Sequence, residues 1–180
     1  VKILPLLLLT CCATAASDPT WARTTLGVDM RWDRSALPIF VVPSPQLAEW
    51  MPALREAVGE INLAVAFTAY VLLPPARIPI DELRMDGTGP LLILPYDKNQ
   101  TTWWADPASG QMRAALIGLS DAATTEEQRV AVALHELLHA LGLDHDEDPS
   151  SIMQPVLHPS ALTGLVLSVE DVRALQEAYR

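Results

Sequence analysis

Apolar positions along the chain change period several times, and each change marks a structural element. Leu37-Pro38-Ile39-Phe40-Val41-Val42 reads as a first strand entered through a proline. Ser44-Pro45 follows as an N-cap and a proline at the first helical position. Leu47, Trp50, Met51, Leu54, Val58, Ile61 and Val65 then recur at helical spacing. Pro52 is expected to kink this helix or to mark a later start. Residues 67–73 are strand-like, and Pro74-Pro75 ends them. Residues 76–89 read as a loop whose Gly87 and Gly89 serve turns, since no phosphate-binding pattern surrounds them. Leu91-Leu92-Ile93-Leu94 suits a central strand. Residues 101–105 and 112–119 flank the turn signal Asp106-Pro107-Ala108-Ser109-Gly110, which predicts a strand pair. On such a strand Trp103 and Trp104 point to opposite faces, one toward the core and one over the surface. Thr124 with Glu127 reads as a capping box, and Glu126 adds favourable charge at that helix start. Val130, Leu134, Leu137, Leu138 and Leu141 supply the helix with an apolar face.

The chemistry is concentrated on that last helix. Residues 135–145 read H-E-x-x-H-x-x-G-x-x-H, and they hold three of the four histidines in the chain. His135 and His139 stand four apart, so a helix places both imidazoles on one face, a turn apart. Glu136, beside the first of them, suits a general base acting on metal-activated water. Gly142 can adopt a left-handed conformation, end the helix and turn the chain back. His145 then supplies a third nitrogen. Three protein ligands and one open position describe a catalytic zinc site rather than a closed structural one. The bland alternative is a buried helix carrying incidental histidines.

Ser151-Ile152-Met153 follows this motif after a short acidic loop. With that addition the chain resembles the metzincins, and among them most closely the matrixin-type zinc metalloproteases. The resemblance is strong over residues 130–155 and weaker from 37 onward, with Ser168-Val169-Glu170-Asp171 resembling the start of the matrixin C-terminal helix. It implies that Met153 is the methionine of the Met-turn beneath the metal. Asp146 departs from the Ser or Thr usual in matrixins and matches the adamalysins instead, which leaves the subfamily open. Pro155 stands where astacins and serralysins place a tyrosine. The fold implied is an α+β, metzincin-like zincin domain: a twisted mixed sheet of four to five strands, mostly parallel with one antiparallel edge, and three main helices. The resemblance also implies that residues 112–119 form the edge strand that pairs with substrate. The aliphatic stretch 156–166 would then wall a pocket for an apolar residue just after the cleaved bond.

The remaining features narrow the setting. Residues 1–16 read as a signal peptide, with a short apolar core and a small-residue cleavage site at Ala13-Thr14-Ala15. Residues 17–36 read as an N-terminal arm and residues 37–180 as the catalytic domain. The expected location is secreted, periplasmic or extracellular. A rival reading is a lipoprotein signal, with anchoring at Cys11 or Cys12 as the only membrane attachment. These are the only cysteines, so ordinary cleavage leaves no disulfide and no thiol of the kind that keeps many matrixins latent. The formal net charge of −10 argues against nucleic acid as a partner. Asp144, Asp146, Glu147 and Asp148 read as a solvated loop before a calcium site, and His158 as a surface residue. The expectation is a monomeric zinc metalloendopeptidase with one catalytic zinc on His135, His139 and His145, Glu136 as general base, and a protein or peptide as substrate. Two alternatives stay open: an inactive, zinc-bound pseudo-protease acting as a binding module, and a zinc hydrolase of non-peptide amides.

Overall fold

The structure is a computed structural model that describes residues 21–23, 26–33, 36–75, 91–147, 151–155 and 167–179. The signal region with Cys11 and Cys12, the loop 76–89, Asp148, His158 and the aliphatic stretch 156–166 lie outside the described residues.

Five strands and three helices follow one another as β1 (Leu37–Val41), α1 (Pro45–Val65), β2 (Tyr70–Leu72), β3 (Leu91–Pro95), β4 (Gln100–Ala105), β5 (Met112–Leu119), α2 (Glu126–Ala140) and α3 (Val169–Ala178). The strands form one sheet in the order β2-β1-β3-β5-β4. β1 pairs in parallel with β2 and β3, and β3 in parallel with β5. Only β4 runs antiparallel, against β5, with a bulge between Trp104 and Ala105. This is the α+β architecture, with its single antiparallel edge, that the family resemblance implies. One part of that expectation is corrected. Met112–Leu119 is not an edge strand but lies inside the sheet between β3 and β4. The exposed edge on that side belongs to β4. Chain order misleads here because a hairpin can place either of its strands outermost.

α1 begins at Pro45, where Ser44 Oγ accepts the Leu47 N–H at 3.0 Å. It runs through Pro52 rather than starting after it. Pro52 and Ala48 are both exposed, so the Ala48 carbonyl that loses its helical partner can turn to water. The opposite stripe, including Trp50, Leu54, Ala57, Ile61 and Val65, is buried in the core. Ile39, Ile93 and Ile117 bring neighbouring strands into that core, and Leu134, Leu137 and Leu138 close it from α2.

The capping box of α2 sits one residue later than Thr124 and Glu127 suggest. Thr125 is the N-cap and accepts the Gln128 N–H at 3.3 Å, while Gln128 Oε1 accepts from the backbone of Thr124 and Thr125 at 2.9 and 3.2 Å. Two adjacent threonines offer the same cap chemistry, and the one used is Thr125, whose reciprocal partner three residues on is Gln128. Thr125→Ala is expected to cost about 1 kcal/mol of stability, and Thr124→Ala less. Urea unfolding of the two variants checks this ordering.

Candidate active site

α2 presents His135, Glu136 and His139 from its last two turns, and all three are buried. The helix ends at Leu141, and Gly142 adopts φ +102° to reverse the chain. A Cβ at Gly142 would stand 2.2 Å from the Met30 carbonyl oxygen, so both the backbone angle and the close approach require glycine. Beyond it, Leu143 forms a bridge with Trp21 of the N-terminal arm, and His145 comes back over the helix.

The three imidazoles converge. His139 Nε2 lies 3.0 Å from His135 Nε2 and 3.1 Å from His145 Nε2. The far nitrogens of the two buried rings face carbonyls: His135 Nδ1 stands 2.7 Å from the Ile152 oxygen and His139 Nδ1 2.7 Å from the Leu143 oxygen. A carbonyl oxygen can only accept, so each Nδ1 carries the proton and each Nε2 presents a lone pair to the centre. Lone pairs aimed at one point repel unless a cation stands among them. A set of three imidazole nitrogens suits zinc, so the residues fit the metal that the motif implies.

Burial tunes the same groups. It pushes His135 down to about 3 and His139 down to about 4, with neighbouring imidazoles adding to the effect. Burial pushes Glu136 up to about 7, against the hydrogen bond from Thr101, which lowers it. The group opens into a cleft of about 430 Å³ whose walls include Gln100, Thr101, Trp103, Val132, Asp144 and Pro155. Met153 is buried beside the site: its carbonyl accepts the Asp146 N–H at 2.8 Å, and its own N–H donates to Ser151 Oγ at 3.0 Å. The structure thus brings together His135, Glu136, His139, His145 and the Met153 turn. Asp144 spends one oxygen on the His145 N–H at 2.8 Å.

Two contributors escape a reading of sequence alone. Thr101 Oγ donates to Glu136 Oε2 at 2.6 Å, and Trp103 Nε1 donates to the His139 carbonyl at 2.6 Å. The Trp103 ring also meets the His139 ring edge-on, with centroids 5.8 Å apart. Residues 101 and 103 share one face of β4 by the two-residue period, which points to a common neighbour without naming it. Trp103 faces the site and packs against the core, while Trp104 is half-buried.

A sheet, a histidine-bearing helix, a glycine turn and a methionine turn in this order define a zincin-type domain of the metzincin class. The matrixin (peptidase M10) family profile matches residues 76–180, more than half of the chain, and the chain belongs to that family of zinc metalloproteases. It is 50% identical over 48 residues to macrophage metalloelastase of Oryctolagus cuniculus, covering 27% of this chain and 10% of that protein. It is 46% identical over 50 residues to matrilysin of Felis catus, covering 28% of this chain and 19% of that protein. These matches thus span a tenth to a fifth of the length of the two relatives. Archaemetzincin from Methanopyrus kandleri aligns in structure with a TM-score of 0.45 and 15% identity, over 80% of this chain and 94% of that one.

The histidine shifts predict how zinc-stripped protein responds to acid. Unfolded histidine titrates near ~6.5, above the folded values of about 3 and about 4. Below that point the unfolded chain holds more protons, so stability falls as pH drops from about 6.5 through the folded values. Glu136 acts with the opposite sign, because its raised pKa loses stability as pH climbs toward about 7. Thermal melts of chelator-treated protein between pH 7 and 4 are expected to show Tm falling with acid. The fall should be shallower in a His135→Gln/His139→Gln variant, and equal slopes would contradict the assignment.

Proposed function

We propose that the chain is a zinc-dependent endopeptidase, exported from the cell, that hydrolyses peptide bonds in proteins or peptides. The observation that supports this best is the pairing of three convergent imidazole lone pairs with a buried carboxylate in one open cleft. His135, His139 and His145 would hold the zinc. The chemistry a bound zinc supplies in such a site is Lewis acidity toward a carbonyl oxygen and toward water. Glu136 is the general base. Its carboxylate takes a proton from the attacking water and delivers it to the leaving amine nitrogen, so one group serves both halves of the reaction. Its burial at the cleft and the hydrogen bond from Thr101 hold it in place for both transfers.

The substrate lies against β4. That strand pairs with β5 on one side and has no strand on its other side among the described residues, and Gln100, Thr101 and Trp103 line the cleft. An edge strand offers N–H and C=O groups to an extended peptide, which binds backbone without reading sequence. This favours peptide over small non-peptide amides. Export is supported by the apolar run at residues 3–9 and the small residues after it.

Cleavage of a peptide library by the purified protein, beside its Glu136→Ala and His135→Ala/His139→Ala forms, tests the proposal. The unaltered protein should carry about one zinc per chain and cleave internal peptide bonds. Glu136→Ala should keep zinc while losing about a hundred- to ten-thousandfold in rate. The double histidine variant should lose both. Near-normal cleavage by Glu136→Ala would remove the role assigned to the carboxylate, and zinc retained without the two histidines would remove the metal site.

A further inference from the structure

We propose that Thr101 is a positioning residue for Glu136: its hydroxyl holds one carboxylate oxygen so that the other is presented to the attacking water. The inference rests on the reading of Glu136 as general base.

Glu136 is only 4% exposed, and Thr101 is its one side-chain hydrogen-bond partner among the described residues. The Thr101 hydroxyl has a single hydrogen and two acceptors in reach, Glu136 Oε2 at 2.6 Å and the Glu136 carbonyl oxygen at 3.1 Å. The shorter contact, to a group that carries charge, takes the larger share. Oε2 is thereby committed to protein. Oε1 has no protein partner among the described residues and belongs to a residue that lines the cleft. The terminal torsion of a glutamate is broad and roughly twofold, so an unrestrained carboxylate samples many planes. One strong donor on one oxygen removes most of that freedom and fixes the direction of the other.

Thr101 can do this because it is itself held. Its backbone is in register with Ile117 of β5, and Trp103, two residues on, is in register with Ala115. Trp103 Nε1 grips the His139 carbonyl, three residues along the helix from Glu136. Strand and helix are therefore pinned at two points about one helical turn apart. The β-branched side chain adds its own stiffness, since threonine has few χ1 choices.

The test compares Thr101→Val, which keeps shape and loses the donor, with Thr101→Ser, which keeps the donor and loses the methyl. All are made in zinc-loaded full-length protein beside Glu136→Ala. Thr101→Val is expected to lower kcat about ten- to a hundredfold with KM within about twofold, since the lost interaction acts on the transition state rather than on binding. Thr101→Ser is expected to recover kcat to within about threefold of the unaltered protein. Zinc content should be unchanged in both. A readout independent of turnover is the thermal double-mutant cycle. Thr101→Val should lower Tm by about 2–4 °C less when Glu136 is already alanine than when it is present. Thr101→Ala serves in the same cycle if the valine variant does not fold. Unchanged kcat in Thr101→Val, a rise in KM alone, failure of serine to restore the rate, or additive melting shifts would each overturn the proposal. Activity surviving in Glu136→Ala would instead overturn the base assignment itself. Loss in Glu136→Ala with no loss in Thr101→Val strikes only the positioning role.

Discussion

The carbonyl end of α2 is the point on which the rest of the structure depends. A helix leaves its last four C=O groups without helical partners, and here that end is buried under the histidines. Every one of the four is accounted for. Leu137 O accepts from the Leu141 N–H and from the Tyr70 hydroxyl, the latter at 2.5 Å. Leu138 O accepts from the N–H groups of Leu141 and Leu143. His139 O accepts from Gly142 N–H and Trp103 Nε1, and Ala140 O from Trp32 Nε1 at 2.8 Å. One residue further on, Leu141 O takes the Tyr179 hydroxyl at 2.5 Å. Four aromatic side chains thus converge on one helix terminus from β2, β4, the N-terminal arm and the residue after α3. Each brings a large apolar body and a single polar tip, which suits a place that must be dry and still donate a hydrogen bond. The burial that makes them useful also pushes both tyrosine hydroxyls above their ordinary range, keeping them as donors.

The metal site inherits its rigidity from this arrangement. The helix end cannot shift without breaking bonds to four separate segments. The turn that follows is fixed by the close approach of Gly142 to Met30, and by the Ala22 N–H on the Gly142 carbonyl at 2.8 Å. Ala22 and Met30 therefore brace the glycine turn. Leu143 and Ile152 then set the two buried tautomers through their carbonyls, so the same backbone that shapes the turn decides which nitrogen faces the centre. Thr101 and Trp103 carry the logic onto the sheet edge. The strand proposed to receive substrate is fastened to the residues proposed to act on it.

What could be read from sequence follows from the range of the interactions involved. The histidines and Gly142 were legible because eleven consecutive residues carry their own geometry: a helical spacing, a forced turn, a return. The strands and α1 are legible by period, and whether α1 starts before or after Pro52 turns on the solvent-facing position of that residue, which one residue cannot show. The α2 cap slipped by one position, between two threonines of equal chemistry. Chain order does not state which strand of a hairpin lies outside, so the sequence alone does not distinguish β4 from β5 as the sheet edge. Least legible were the contacts that hold the site in place. Nothing local to Trp32, Tyr70, Trp103 or Tyr179 points to a carbonyl 36 to 108 residues away.

The electrostatics of the cleft give these fastenings a purpose. Two imidazoles are buried where protonation is penalised, and a carboxylate is buried beside them where ionisation is penalised. Near neutral pH the convergent lone pairs and the buried carboxylate cost the fold stability, and the surrounding hydrogen bonds must hold the cluster together. A divalent cation held by the three imidazoles would deepen the penalty on protonating them and offset the penalty on ionising the carboxylate. It uses the neutral lone pairs and favours the ionised carboxylate. Metal binding to the folded chain would add to its stability by linkage, and the aromatic donors around α2 serve both. They keep the helix terminus in place against the strain of the bare cluster, and they spare the metal the cost of ordering its ligands.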